Sequence, residues 1–343
     1  MSWEKCIVES DKTLGEVIYI LNATGLKIVL LVDKSSKFIG SITDGDIRRG
    51  LLRGLTLQDS VMPIVNLNPI ISTPNEDMAS VKNKMLSEKI YQIPVIKDGY
   101  VINLHQWDSL FDPVILKNVM VVMAGGLGTR LMPHTKNCPK PMLQIAGKPI
   151  LEHILEGALK SGFRRFIISV NYLGEMIEDY FGSGVKWGAE ITYLRELSQL
   201  GTAGSLSLIN EIINEPFLVC NGDVLSDIQY REMLLFHKVN KADATMAVTQ
   251  YEWQNPYGVV KTNGIDIIGL EEKPVMRSHV NAGVYILEPH TLGLLPKNTY
   301  CDMPTLFEEI RNRKLRNIAY AIHEPWLDIG RSSDLDMAKL MKN

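Results

Sequence analysis

Apolar positions in the first hundred residues recur in two copies. Leu14, Val17 and Leu21 share one face of a helix, and Met78, Val81 and Met85 repeat that stripe 64 residues later. Each stripe leads into a short apolar run, at residues 29–32 and 93–96. Charged or glycine-bearing turns follow, at 33–37 and 97–99. The second turn reads as two residues shorter, so the offset becomes 62; Thr43 then matches His105 and Asp46 matches Asp108. Each copy predicts helix, strand, turn, strand, helix. A copy of about 50 residues buries little surface alone, so the two are expected to pack sheet against sheet on one core.

The pattern changes after Asp112 and Pro113. Residues 119–123 form a continuous apolar run that ends in glycines, as expected of a parallel strand buried on both faces. Residues 166–170, 191–194, 217–220, 244–249 and 284–287 read as further strands, and 149–160, 172–181 and 204–214 as helices. The alternation predicts an α/β fold, a doubly wound, mostly parallel, Rossmann-like sheet over residues 118–343, behind an α+β pair at 1–112.

Composition narrows the class. Apolar residues make up 45% of the 343 and charged residues 22%, which suits a folded globular chain. A net charge of −3 offers no global basic field, so nucleic acid is not an expected partner. The four cysteines, Cys6, Cys138, Cys220 and Cys301, form no C-x-x-C pair, which points to a reducing cytoplasm. The start has no basic-then-apolar leader. The apolar run at 114–124 is interrupted by Lys117 and Asn118 and is too short to span a bilayer, so no membrane association is expected.

In the first copy, Gly40-Ser-Ile-Thr43-Asp-Gly-Asp46-Ile-Arg-Arg sits at a strand-to-helix turn, and Val61-Met62-Pro63 lies between the copies. Residues 1–112 resemble a tandem pair of CBS domains. That resemblance implies a regulatory module in which Thr43 meets the phosphate and Asp46 the ribose of an adenosine nucleotide, or of a pathway product. The same two residues also fit a plain helix cap. In the second copy Ile102 replaces the glycine and His105 the threonine, which argues against a second such site. CBS pairs associate face to face, so a homo-oligomer is expected.

The main chemical signal is Ala124-Gly125-Gly126-Leu-Gly128-Thr129-Arg130-Leu, directly after the first strand of the second region. Glycines there let backbone amides ring a polyphosphate; the cluster alone also fits a tight turn. The G-x-G-x-x-G spacing fails, because Leu131 occupies the third position, and no Walker A loop occurs. Ten residues after Arg130 comes Pro139-Lys140-Pro141-Met142, whose prolines restrict the backbone around a second cation. This compound pattern resembles the sugar-1-phosphate nucleotidyltransferases, mannose-1-phosphate guanylyltransferases in particular, over residues 118–343.

The resemblance carries further roles. Leu200-Gly201-Thr202-Ala-Gly204 resembles a base-reading loop that works through main-chain groups, and its form favours GTP over a uridylyl, thymidylyl or cytidylyl donor. Asp223, after Asn221-Gly222, and Asp328, in Trp326-Leu-Asp-Ile-Gly330, would hold Mg2+. Gly258, Glu272 and Asn281 would line the sugar pocket, and Lys273 would hold the sugar phosphate. The implied reaction joins an NTP and a sugar 1-phosphate into an NDP-sugar with release of pyrophosphate. Its cationic residues are Arg130, Lys140 and Lys273. The whole arrangement also resembles the glucosamine-1-phosphate guanylyltransferases of legionaminic acid synthesis. A non-catalytic nucleotide sensor is the alternative from another class.

Overall fold

The computed structural model describes residues 3–110 and 115–342, in two compact units divided between Val114 and Ile115. The expected boundary at Asp112 and Pro113 and the side chain of Asp108 lie outside the described residues.

The first unit begins with β1 (Ile7–Glu9), α1 (Leu14–Thr24), β2 (Ile28–Val32), β3 (Phe38–Thr43) and α2 (Asp44–Leu52). The second copy supplies α3 (Met78–Glu88), β4 (Gln92–Lys97), β5 (Tyr100–Gln106) and α4 (Trp107–Leu110). Thr13 and Glu16 form a reciprocal capping box on α1, and Gly25 ends that helix in the left-handed region. Strands β1, β2 and β3 form one sheet, β4 and β5 another. The parallel contact of Val8 with Leu31 is reproduced by Ser72 with Val95, again 64 residues on. Leu104 from β5 is buried in one cluster with Cys6, Leu26, Ile28 and Leu30, so the two sheets share a core as the repeat requires. Met78 departs from its stripe and is exposed, while Val81 and Met85 are fully buried.

Register corrects the internal alignment. Ile28 faces Thr43 and Gln92 faces Gln106, and α2 and α4 start at Asp44 and Trp107. The offset past the turn is therefore 63 rather than 62. The second turn is one residue shorter, not two, so Thr43 corresponds to Gln106 instead of His105, and Gly40 to Asn103 instead of Ile102. A one-residue slip moves every side chain to the other face of a strand, and apolar runs this short do not fix it.

The second unit contains β6 (Val119–Met123), β7 (Gln144–Ile145), β8 (Lys148–Pro149), α5 (Ile150–Lys160), β9 (Arg165–Val170), α6 (Gly174–Phe181), β10 (Glu190–Arg195) and α7 (Gly201–Gly204). It continues with β11 (Phe217–Asn221), β12 (Val224–Ser226), α8 (Tyr230–Val239), β13 (Ala244–Gln254), β14 (Val259–Asn263), β15 (Asp266–Glu271) and β16 (Val275–Leu287). The last elements are α9 (Met303–Asn312), β17 (Asn317–Ile322), β18 (Trp326–Asp328) and α10 (Ser332–Lys342). The main sheet has the order β10-β9-β6-β11-β16-β13-β17. Only β16 runs against its neighbours, β11 and β13. Alternate residues of β6 serve two cores: Met120 and Val122 pack in the cluster containing α5, α6, α8 and α10, and Val119 and Val121 in the one containing α9. Helices on both faces explain the unbroken apolar run.

Two expectations change here. The helix over 204–214 does not form: α7 ends at Gly204, and only a 3-10 turn, Ser205–Leu208, follows. Ile209, Ile212 and Ile213 are β-branched, Asn210 lies between them, and Asn214 and Pro216 follow closely, so helix propensity is poor. Strands β13 and β16 also extend well past 249 and before 284. Their outer halves form an exposed ribbon, with Val248 facing Asn281 and Gln254 facing Val275. The β14–β15 hairpin stands beyond it.

At the end of the sheet away from the glycine loop, His237 is fully buried. Its Nδ1 lies 2.7 Å from Thr245 Oγ1 and its Nε2 3.4 Å from Glu288 Oε1. Burial holds the imidazole down at about 4. The unfolded chain therefore takes up a proton near 6.5 that the folded chain refuses, so stability falls as pH drops from 6.5 towards 4. Glu288, pushed up by burial, acts in the opposite sense above its ordinary range. Urea midpoints at pH 7.5 and 5 should differ more in the parent than in His237→Gln; equal differences would contradict the assignment.

Candidate active site

The glycine loop leaves β6 over the carboxyl ends of the parallel strands, where ligands bind in open α/β sheets. The Ala124 amide is tied to Ser169 O at 2.9 Å. Gly128 has φ +62°, and a Cβ there would stand 2.9 Å from Thr135 Cγ2 and 3.2 Å from Lys140 Cβ. Thr135 Oγ1 in turn donates to Gly128 O at 2.8 Å. At Gly125 a Cβ would meet Glu196 Oε1 at 2.6 Å, whereas at Gly126 it would meet nothing within 4 Å. Gly128 thus serves the fold, and Gly126 leaves room above the loop. Gly128→Ala should lower the melting temperature through about 1–2 kcal/mol of backbone strain. Gly126→Ala should melt like the parent and raise the KM for nucleotide. Identical melting and kinetics in the two variants would refute this division.

Thr129 and Arg130 fall in a 3-10 turn, Thr129–Leu131, and Lys140 in another, Lys140–Met142. Lys140 is nearly buried, and its Nζ is ion-paired with Asp223 Oδ2. Asp223 follows β11, and the Gly222 amide donates to Met123 O at 2.9 Å, which fixes this turn beside the glycine loop. Asp328 arrives through the β12–β18 pairing, where it faces Val224 directly after Asp223. The Ile329 amide donates to Asp223 O at 3.1 Å. The protein around Asp328 pushes its carboxyl up, the Asp223 charge adds to this, and Lys140 and Arg130 oppose it. Two carboxylates and two cations from four segments therefore share one small field. A pair of like-charged carboxylates, one of them on the cavity wall, fits a hard divalent cation held by one or two protein oxygens.

A cavity of about 250 Å³ is lined by the expected Gly125, Gly126, Gly201, Thr202 and Asp223. Met123, Glu196, Gln199, Asn221 and Tyr300 also line it and were not anticipated from sequence. Gly201, Thr202 and Gly204 are fastened to a segment a hundred residues away. The Ala203 and Gly204 amides both donate to Cys301 O at 2.9 Å, and the Thr202 amide donates to Asp302 Oδ1 at 3.2 Å. Nothing local in sequence reports such a contact. Glu196 was the findable residue: an acidic side chain just past a strand end, five positions before Gly201.

Of the sugar-side residues, Gly258 and Glu272 meet at the foot of the hairpin, whereas Asn281 lies six residues further along β16 than Val275. Gly258 lies just before β14 and Glu272 just after β15, and a Cβ on Gly258 would stand 2.9 Å from Glu272 Oε2. Lys273 is exposed, with φ +46°. Asn281 donates to Tyr285 Oη at 2.7 Å and accepts from the Gly283 amide at 2.9 Å. Gly283 packs against Asn221 of the cavity wall.

In the first unit, the Thr43 amide and hydroxyl both donate to Asp46 Oδ2, at 2.8 and 2.6 Å. Thr43 and Asp46 thus form the helix cap. Asp46 also lines a cavity of about 130 Å³ with Arg49, Arg53 and residues 63–66.

Residues 3–53 match the CBS domain family. Mannose-1-phosphate guanyltransferase of Yarrowia lipolytica is 35% identical over 222 residues, covering 62% of this chain and 61% of that protein. The catalytic beta subunit of mannose-1-phosphate guanylyltransferase of Drosophila melanogaster is 35% identical over 223 residues, covering 62% and 60%. This chain therefore spans about three-fifths of the length of these relatives. The crystal structure of HddC from Yersinia pseudotuberculosis superposes with a TM-score of 0.53 at 24% identity, covering 66% of this chain and 100% of that one, which shows the shared fold. Residues 119–341 match the nucleotidyl transferase family, and with that match extending over more than half of its length the chain belongs to that family.

Proposed function

We propose that the chain is a sugar-1-phosphate guanylyltransferase that converts GTP and a sugar 1-phosphate into a GDP-sugar and pyrophosphate. The observation that carries this reading is a cavity lined by the glycine loop and Asp223, with Asp223 ion-paired to Lys140 and its charge, with those of Lys140 and Arg130, acting on Asp328. The guanylyltransferase relatives support GTP as donor.

The nucleophile is a phosphate oxygen of the sugar phosphate. With a second pKa near ~6 it is already ionised at neutral pH, so no side-chain base is required. The new bond joins this oxygen to the α-phosphorus, the bond to the bridging oxygen breaks, and pyrophosphate leaves with its electron pair. The main obstacle is repulsion between two polyanions, roughly 4 kcal/mol for unit charges at 4 Å and an effective dielectric of 20. Arg130 and Lys140 offset it on the nucleotide side, and Lys273 on the sugar side. Amides of the loop carrying Gly125, Gly126, Gly128 and Thr129 orient the triphosphate. Asp223 and Asp328 would hold Mg2+, which when bound neutralises phosphate charge and polarises the phosphorus centre. Glu272, Asn281 and Gly258 would receive the sugar hydroxyls.

Residues 1–112 are assigned as a regulatory CBS pair. Arg49 and Arg53 beside Asp46 offer a phosphate site next to a ribose acceptor, for an adenosine nucleotide or the product. Turnover that changes with added ATP or AMP in the parent, and not in Asp46→Ala, would support regulation; identical responses would oppose it. A homo-oligomer in the cytoplasm is the expected setting. Among the described residues no helix is long and apolar enough to cross a membrane.

The test is pyrophosphate release from GTP, UTP, dTTP and CTP, each against mannose, heptose, glucose and glucosamine 1-phosphates. Release with GTP and one or more of these sugars is expected. Release only with another NTP would assign a different base, and no release anywhere would leave a nucleotide sensor.

A further inference from the structure

We infer that Tyr285 is a positioning residue for the sugar side of the site: its buried hydroxyl, brought within reach by a bulge in β16, fixes which way the Asn281 carboxamide faces. This rests on the reading above that Asn281 receives the sugar, and it names what sets the orientation of that group.

The bulge shows in the register. Met246 of β13 faces Tyr285 and Val248 faces Asn281, so four steps along β16 cover the length of two along β13. In a regular strand, Cα atoms four positions apart are separated by about 13 Å, too far for a phenol and a short amide to meet. The two extra residues bring that down to about 7 Å. Gly283 makes the detour possible. Its φ is +72°, and a Cβ there would stand 2.8 Å from Asn221 Nδ2 and 3.0 Å from Val224 Cγ2. Asn221 and Val224 flank Gly222 and Asp223, so the bulge lies against the turn that carries Asp223.

An asparagine amide has almost the same shape with oxygen and nitrogen exchanged, and its terminal torsion is soft, so a free one turns over easily. Asn281 is exposed, yet both ends of its amide are tied. Oδ1 accepts from the Gly283 amide at 2.9 Å, and Nδ2 donates to Tyr285 Oη at 2.7 Å. A backbone N–H can only donate, so it selects the oxygen; the hydroxyl is the matching acceptor for the nitrogen. Tyr285 is 2% exposed and belongs to one buried cluster with Ala203, Cys301, Met303 and Phe307, so its ring cannot follow a turn of the amide. Burial pushes the hydroxyl up to about 12, which keeps it uncharged at neutral pH. Asn281 retains one N–H and one lone pair, each on a fixed side, for the sugar hydroxyls.

Tyr285→Phe removes the hydroxyl and keeps the ring, whose centroid lies 5.8 Å from that of Phe307. The assay is pyrophosphate release at saturating GTP, with whichever of the mannose, heptose, glucose and glucosamine 1-phosphates the parent turns over fastest. Tyr285→Phe should raise the KM for that sugar phosphate about 3- to 10-fold, the worth of one neutral hydrogen bond. The kcat, the KM for GTP and the melting temperature should stay as in the parent. Asn281→Ala should raise the same KM at least as much. Adding Tyr285→Phe to Asn281→Ala should change nothing further, because a residue that acts through another has no effect once that other is gone. An unchanged sugar KM in Tyr285→Phe overturns the inference. So does an equal rise in both backgrounds, or a matching rise in the KM for GTP, since either marks support of the core alone. Parental kinetics in Asn281→Ala is a separate outcome: it removes the reading of Asn281 as a sugar contact, and the inference falls with it.

Discussion

Asp223→Asn is expected to lose on the order of 10³-fold in turnover while melting at or above the parent temperature. The asparagine keeps the shape of the turn after β11 and still offers Lys140 an oxygen to bond. It removes one of two carboxylates that repel each other in the free protein, where Asp223 helps push the Asp328 carboxyl up. Relief of that repulsion stabilises the fold, and loss of the charge removes half of the cation site. A site that trades stability for function behaves in this way. Pyrophosphate release and thermal melting measured on the same preparation check both parts. Near-parental turnover in the folded variant would show that Asp223 takes no part in the reaction.

Lys140→Met is expected to behave differently, losing about 10²- to 10³-fold in turnover together with some stability. Methionine fills the space of the lysine stem, which packs under Gly128. It leaves Asp223 and Asp328 facing each other with Arg130 as the remaining nearby cation, and one of the two influences holding the Asp328 carboxyl down is gone. Asp223 is partly open to solvent, with 27% of its side chain exposed, so the loss of stability should be smaller than for a fully buried pair. The contrast between the variants is the informative part: Asp223→Asn loses activity alone, and Lys140→Met loses activity and melting temperature together. If both melt alike, the two residues do not share one electrostatic field.

How far the sequence could be read followed from how local each signal was. The strand 119–123 and its glycine turn were legible because burial on both faces forces an unbroken apolar run that ends where the backbone must turn sharply. Asp223 and Asp328 were legible as members of motifs. Their adjacency depends on the β12–β18 register, which no local pattern encodes. The Cys301 and Asp302 clamp on the Gly201 loop was invisible for the same reason. The outer halves of β13 and β16 were missed because the ribbon buries neither face: Tyr251 and Trp253 alternate with Gln250, Glu252 and Gln254 in β13 yet stay exposed, and β16 carries Arg277, Ser278 and His279 there. The Gly264-Ile265 turn at the tip of the β14–β15 hairpin had a local signal, since glycine at the first loop position supplies the positive φ that Gly264 adopts. The CBS-like repeat was recovered as a pair of copies and misaligned by one residue, because alternation within a short strand fixes register only when one face is clearly polar.

The most direct test of the account is a crystal structure of the chain with GTP and Mg2+. The account predicts the triphosphate over residues 125–130, a metal ion held by the carboxylates of Asp223 and Asp328, and guanine beside Gly201 and Thr202. A triphosphate bound away from Arg130 and Asp223 would contradict it.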